Sequence, residues 1–240
     1  MSKIPMRTTV MLAATFVFFA AFQVNAQTKS NPVELDFLTH VGQGIVEQDV
    51  FIERVEGSGE LYRIAPAEVD KYADSKLFGT KNRIPYEPFD PVPGGPYAMG
   101  MGLDVTLREW LDAEGTGSYW CDDGTATMKA SLENLVPNGL YTVWYVIRPD
   151  PPTNPFTGLL SPMGKRDGTQ GVFTADKLGR ANFEAVFEPC LEMSGLRTLT
   201  VVGIAWHSDG KTYGFSPGPF GKVTHTQINA FFPKEVSVDR

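Results

Sequence analysis

From Met101 onward, apolar and polar residues alternate in short runs, and Gly or Pro punctuates the gaps between them. Met101-Leu103-Val105, Ala126-Met128-Ala130-Leu132 and Ala181-Phe183-Ala185-Phe187 each space apolar side chains two residues apart. In an extended strand that spacing collects them on one face and leaves the other to water. Residues 140–147 are dense in β-branched and aromatic side chains, which suits a central strand. Val136-Pro137-Asn138-Gly139 is a turn signal ahead of that strand, and Asp176-Lys177-Leu178-Gly179 joins 172–174 to 181–187 as a hairpin. With 199–206 and 226–232 the strand count reaches about seven, which predicts a β-sandwich over 96–240. One helical interruption is expected: Thr106 and Glu109 have capping-box spacing ahead of Trp110 and Leu111, in a turn that ends by Gly115.

The first residues follow a different logic. Lys3 and Arg7 precede an apolar run over 10–22, and Val24-Asn25-Ala26 offers small residues for cleavage, the pattern of a secretory signal peptide over 1–26. The run is shorter than the roughly 20 residues a bilayer-spanning helix needs, so no transmembrane segment is expected in the mature chain. Cleavage would remove two cations and no carboxylate, taking the net charge from −7 to −9. Such a charge repels phosphates and disfavours nucleic acid as a partner. An exported chain, periplasmic or extracellular, meets an oxidising environment, so Cys121 and Cys190 are expected to pair.

Between these parts, 27–95 reads as a less regular N-terminal extension. Val33-Leu35-Phe37 alternates like a strand, Val50 and Ile52 start another, and Pro66 can open a short helix. Prolines and glycines then accumulate over 84–95 and mark a linker or an extended edge. The segment 148–171 is Pro- and Gly-rich without periodicity, and longer than most connections in compact domains.

Leu135-Val136-Pro137-Asn138-Gly139-Leu140-Tyr141-Thr142-Val143-Trp144, followed by Gly171-Val172-Phe173-Thr174-Ala175-Asp176 and Gly179, resembles a strand-turn-strand pattern of exported immunoglobulin-like β-sandwiches. It is similar to the extracytoplasmic domains of anti-sigma factors over 117–190. The resemblance implies an immunoglobulin-like fold and not the anti-sigma role, since no preceding membrane helix and cytoplasmic domain of that kind are expected from the sequence.

Chemistry concentrates in one stretch, Trp206-His207-Ser208-Asp209-Gly210, then a loop of Gly, Pro and aromatic residues, then His225. If the flanking strands pair, His207 and His225 stand at the two ends of one loop. With Asp209 they form a donor set suited to Zn²⁺ or Cu²⁺, which His40 could complete. The alternative is a plain turn at Asp209-Gly210 with both histidines in loop hydrogen bonds. The same loop offers Tyr213, Phe215 and Phe220, beside Trp206, as aromatic faces for a glycan or peptide, or else as rings that fold inward over the core. Trp110, Tyr119, Trp120 and Trp144 read as core residues, and Asp122, Asp123 and Asp176 as solvated turns, their spacing not matching a calcium loop. Gly214-Phe215-Ser216-Pro217-Gly218 has the letters of a nucleophile elbow, but its prolines deny the following helix. The expectation is therefore an exported, non-catalytic binding or interaction module of glycan or protein ligands, using 148–171 and 207–225. A metal-binding protein or metal-dependent enzyme centred on His207, Asp209 and His225 is the alternative.

Overall fold

One strand belongs to two layers, and the architecture turns on it. In the computed structural model, which describes residues 31–43, 49–84, 94–151, 153 and 157–234, strand β1 (Val33–Thr39) pairs through Val33 to Phe37 with one neighbour and through Leu38 and Thr39 with another. The first neighbour is β6 (Glu114–Asp122), followed by β7 (Thr125–Glu133) and β11 (Ala181–Phe187). The second is β13 (Thr224–Phe231), followed by β12 (Thr198–His207), β8 (Leu140–Pro149) and β10 (Val172–Thr174). β9 (Leu159–Pro162) shares the outer edge of β8 with β10. The result is one curled antiparallel sheet of nine strands, an all-β sandwich with short helices, as the alternation predicts.

The inner faces carry the alternating residues. Leu35, Phe37, Met128, Leu132 and Phe183 from one layer meet Tyr141, Val143, Val202, Ile204 and Ile228 from the other, all buried in one core. Within that first layer β6 needs a glycine between its neighbours β1 and β7, because a Cβ on Gly117 would lie 2.5 Å from the Lys129 carbonyl oxygen and 3.0 Å from the Phe37 ring. Tyr119 packs edge-on against Phe232, ring centroids 5.0 Å apart. The disulfide Cys121–Cys190, Cα atoms 5.9 Å apart, ties the end of β6 to the chain leaving β11.

A smaller sheet holds β2 (Ile52–Glu53), β3 (Glu60–Tyr62), β5 (Tyr97–Thr106) and β4 (Lys76–Thr80) in that order. Reciprocal backbone hydrogen bonds between Phe51 and Phe78 close β4 back toward β2. Inside lies a second cluster of Phe51, Leu61, Ile84 and Phe220. The expected division near residue 95 is thus crossed in both directions: β1 sits in the middle of the large sheet, and β5 completes the small one. Hydrogen-bonding partners far away in sequence decide this, and strand periodicity carries no record of them.

Two short helices complete the described residues: α1 (Val69–Tyr72), after a 3-10 turn at Pro66–Glu68, and α2 (Leu107–Leu111). The capping box at α2 forms as expected, Glu109 N–H donating to Thr106 Oγ1 and Thr106 N–H to the Glu109 carboxylate. It delivers Trp110 into the core, fully buried. β9 departs from expectation, since Leu159-Leu160-Ser161-Pro162 has no alternation and lies in the stretch read as irregular. The signal peptide over 1–26 and most of the Pro-rich stretch at 85–93 lie outside the described residues. Among those described, no helix is long and apolar enough to cross a membrane.

Candidate functional site

The β12–β13 hairpin is the element on which the sequence concentrated its candidates. Its register opposes Trp206 to His225 and His207 to Thr224. Side chains directly opposite on an antiparallel pair share a face and successive residues alternate, so His207 and His225 project from opposite faces of the sheet. The expected metal arrangement is therefore not formed. A single ion needs both imidazoles about 2.0 to 2.1 Å away, and the sheet itself stands between them. Among the described residues no cluster of three or more His, Cys, Asp or Glu side chains converges on a point.

Each candidate ligand has another partner. His225, with Trp206 on its face, has Nδ1 2.7 Å from the Asp49 carbonyl oxygen, so Nδ1 carries the proton and donates. Nε2 is left to accept from the Ser208 hydroxyl, 3.1 Å away. On the opposite face, His207 Nε2 lies 2.7 Å from Thr142 Oγ1, which also accepts the Trp144 indole N–H. Burial pushes His207 and His225 down to about 4, against the opposing pull of Asp209 and, for His225, of the Asp49 carbonyl. Both rings are neutral at pH 7. Asp209 accepts the Tyr213 hydroxyl at 2.6 Å and the Lys211 N–H at 3.2 Å, so its carboxylate folds the loop back on itself. Burial and that carboxylate raise the Tyr213 phenol to about 12. His40 lies elsewhere, accepting from Asn229 Nδ2 at 3.2 Å, and burial with the Arg63 charge lowers it to about 4.

The four aromatic candidates divide by burial. Trp206 is 7% exposed and packs on Trp110, ring centroids 6.0 Å apart. Phe220 is 2% exposed in the second core cluster. Neither can stack on a ligand without leaving the core, which corrects the expectation for these two. Tyr213 is partly buried, 5.9 Å from the His207 ring and held by its hydrogen bond to Asp209. Phe215 stands out at 79% exposure.

Around Phe215 the backbone is constrained. Gly218 lies so close beneath Tyr213 that a Cβ would come within 2.5 Å of the ring, and Thr224 Oγ1 donates to the Pro217 carbonyl at 2.8 Å. Gly214 meets Gly168, at whose Cβ position the Gly214 carbonyl oxygen would be 2.2 Å away. That contact joins the two segments, 148–171 and 207–225, that the sequence marked separately. Ser216 accepts from Gly218 N–H within a turn, with no helix behind it.

What the sequence did not reveal is the part played by Asp49, whose carbonyl orients His225 across 176 residues of chain. Its carboxyl is raised by burial, against the Arg63 charge and a hydrogen bond from Thr226 N–H. A lone Asp beside Val50 carries no signal of that kind. No family model matches the chain, and neither a curated protein nor a solved structure shows significant similarity to it.

Proposed function

We propose that this chain is an exported binding or interaction module that presents the joined loops 163–171 and 208–223 to a glycan or protein ligand. The observation that carries the reading is Phe215, a 79% exposed aromatic ring at the tip of a loop pinned on both sides. An exposed Phe costs solvation, and a rigid scaffold lowers the entropy lost when it meets a partner. The signal peptide ending near Ala26 and the resemblance of 117–190 to immunoglobulin-like extracytoplasmic domains belong to the same proposal, with export as its setting and the anti-sigma role left aside.

The test is a glycan and peptide array probed with the mature protein and with Phe215→Ala. A ligand held by the wild type and weakened at least about tenfold by the variant, with unchanged circular dichroism, supports the module. Absence of any ligand, or equal affinity for both proteins, refutes it. N-terminal sequencing of the exported protein tests cleavage after Ala26.

A further inference from the structure

The nine-stranded sheet curls without closing. One end is β11; the other is the edge formed by β10 and β9 on β8. Near β10 the ends meet, with the Phe173 and Phe183 rings 5.9 Å apart. Farther along they part. Between β9 with the turn after it and the last residues of β11 runs a cleft in two lobes of about 190 and 300 Å³, joined at Gly164, Phe187 and Glu188. Its floor includes Tyr145 and Ile147, inward-facing residues of β8 that stay only half-buried because no strand among the described residues covers them. At its lips Leu159 and Val186 are 55% and 50% exposed.

The β11 edge at this cleft has unused hydrogen-bonding capacity. The Val186 carbonyl accepts the side-chain N–H of Gln170, so it points away from β7. In an antiparallel strand the N–H and C=O of one residue point the same way and those of the next residue point oppositely. The backbone groups of Asn182, Glu184 and Val186 are therefore directed to the free edge, while those of Phe183, Ala185 and Phe187 serve β7. The Gln170 amide sits where the backbone N–H of one more strand would be. Lys165 and Arg166 on one lip face Glu188 and Glu192 on the other.

We propose that this cleft receives an extended peptide segment of a partner protein, which adds as a strand to the free edge of β11. The incoming backbone displaces Gln170 and bonds to the outward N–H and C=O of Val186, the β-augmentation mode of recognition. Alternate apolar side chains enter toward Tyr145 and Phe187. An acidic residue of the segment answers Lys165 and Arg166, and a basic one answers Glu188 and Glu192. The site rests on the interaction-module reading for the kind of ligand, but it uses a surface separate from Phe215.

The probe is a phage-displayed random heptapeptide library selected on the mature protein, with enriched peptides synthesised and titrated by fluorescence anisotropy. The expected result is enrichment of alternating apolar and polar sequences that bind Val186→Pro at least tenfold more weakly. Proline there removes an outward N–H and leaves the β7 ladder intact. A second measurement does not depend on how that variant folds: N-methylation of alternate peptide amides abolishes binding for one parity and spares the other. Gln170→Ala binds as well as the wild type or better. Failure to enrich any peptide overturns the proposal. So do peptides that bind Val186→Pro normally and tolerate N-methylation of either parity; if those same peptides are lost on Phe215→Ala, the loop reading stands and strand addition alone falls.

Discussion

Phe215 and Phe220 lie five residues apart in one loop, and the structure assigns them opposite energetic roles. Phe220 is 2% exposed among Phe51, Leu61 and Ile84, and its carbonyl accepts the Ile84 N–H at 3.1 Å. Truncation to Ala forfeits the transfer free energy of a buried ring and leaves a cavity between the small sheet and the hairpin loop. Such a change costs roughly 3–5 kcal/mol. At roughly 2–4 °C per kcal/mol for a chain of this size, the melting temperature should fall by about 6–20 °C. Phe215, 79% exposed, has little burial to lose, so Phe215→Ala should stay within about 0.5 kcal/mol and shift melting by about 2 °C at most. The assay is paired urea and thermal unfolding of the two variants and the wild type. The urea slope should be unchanged, so that the midpoint reports stability alone. A loss below about 1 kcal/mol for Phe220→Ala, or equal losses for both, would refute the assignment of which ring faces inward.

Stability should fall on acidification. His40, His207 and His225 take up protons near 6.5 when unfolded but only near about 4 in the fold. Between those values the unfolded chain binds more protons, and each histidine contributes a slope of up to about 1.4 kcal/mol per pH unit. Asp49, raised by burial, pulls the other way at the acid end. Melting temperatures from pH 7.5 to 4.5 should therefore decline, and less steeply for His225→Gln; a flat profile contradicts the burial of the three rings. Replacing Cys121 and Cys190 by Ser opens a cross-link spanning 69 residues, which on the chain-entropy argument is worth roughly 4 kcal/mol. Denaturant titration of the double variant checks it, and a loss under about 1 kcal/mol would mean that the unfolded chain gains little freedom.

Much of the strand content could be read directly. The runs at 126–132 and 181–187 became β7 and β11 with alternate residues buried, because a period of two leaves no other way to shelter those side chains. The Thr106–Glu109 box became α2 because its hydrogen bonds are local. β9 was hidden for the opposite reason: Leu159-Leu160 breaks alternation and Pro162 suggests a loop, yet pairing with β8 from Trp144 to Ile147 makes it a strand. The site was half legible. Sequence proximity brought His207, Asp209 and His225 to one hairpin but gave no account of faces.

Taken by itself, the sequence determined the all-β class, the chemistry available in the 207–225 loop and the presence of two cysteines, since composition, periodicity and local turn signals are properties of neighbouring residues. Tertiary structure decided the rest. The β12–β13 register sent two histidines to opposite faces, the small sheet drew Phe220 inward and left Phe215 in solvent, and the curl of the large sheet stopped short of closure beside β11. Each of those outcomes depends on partners tens to hundreds of residues away, and a one-residue shift in pairing would reverse which face a side chain occupies.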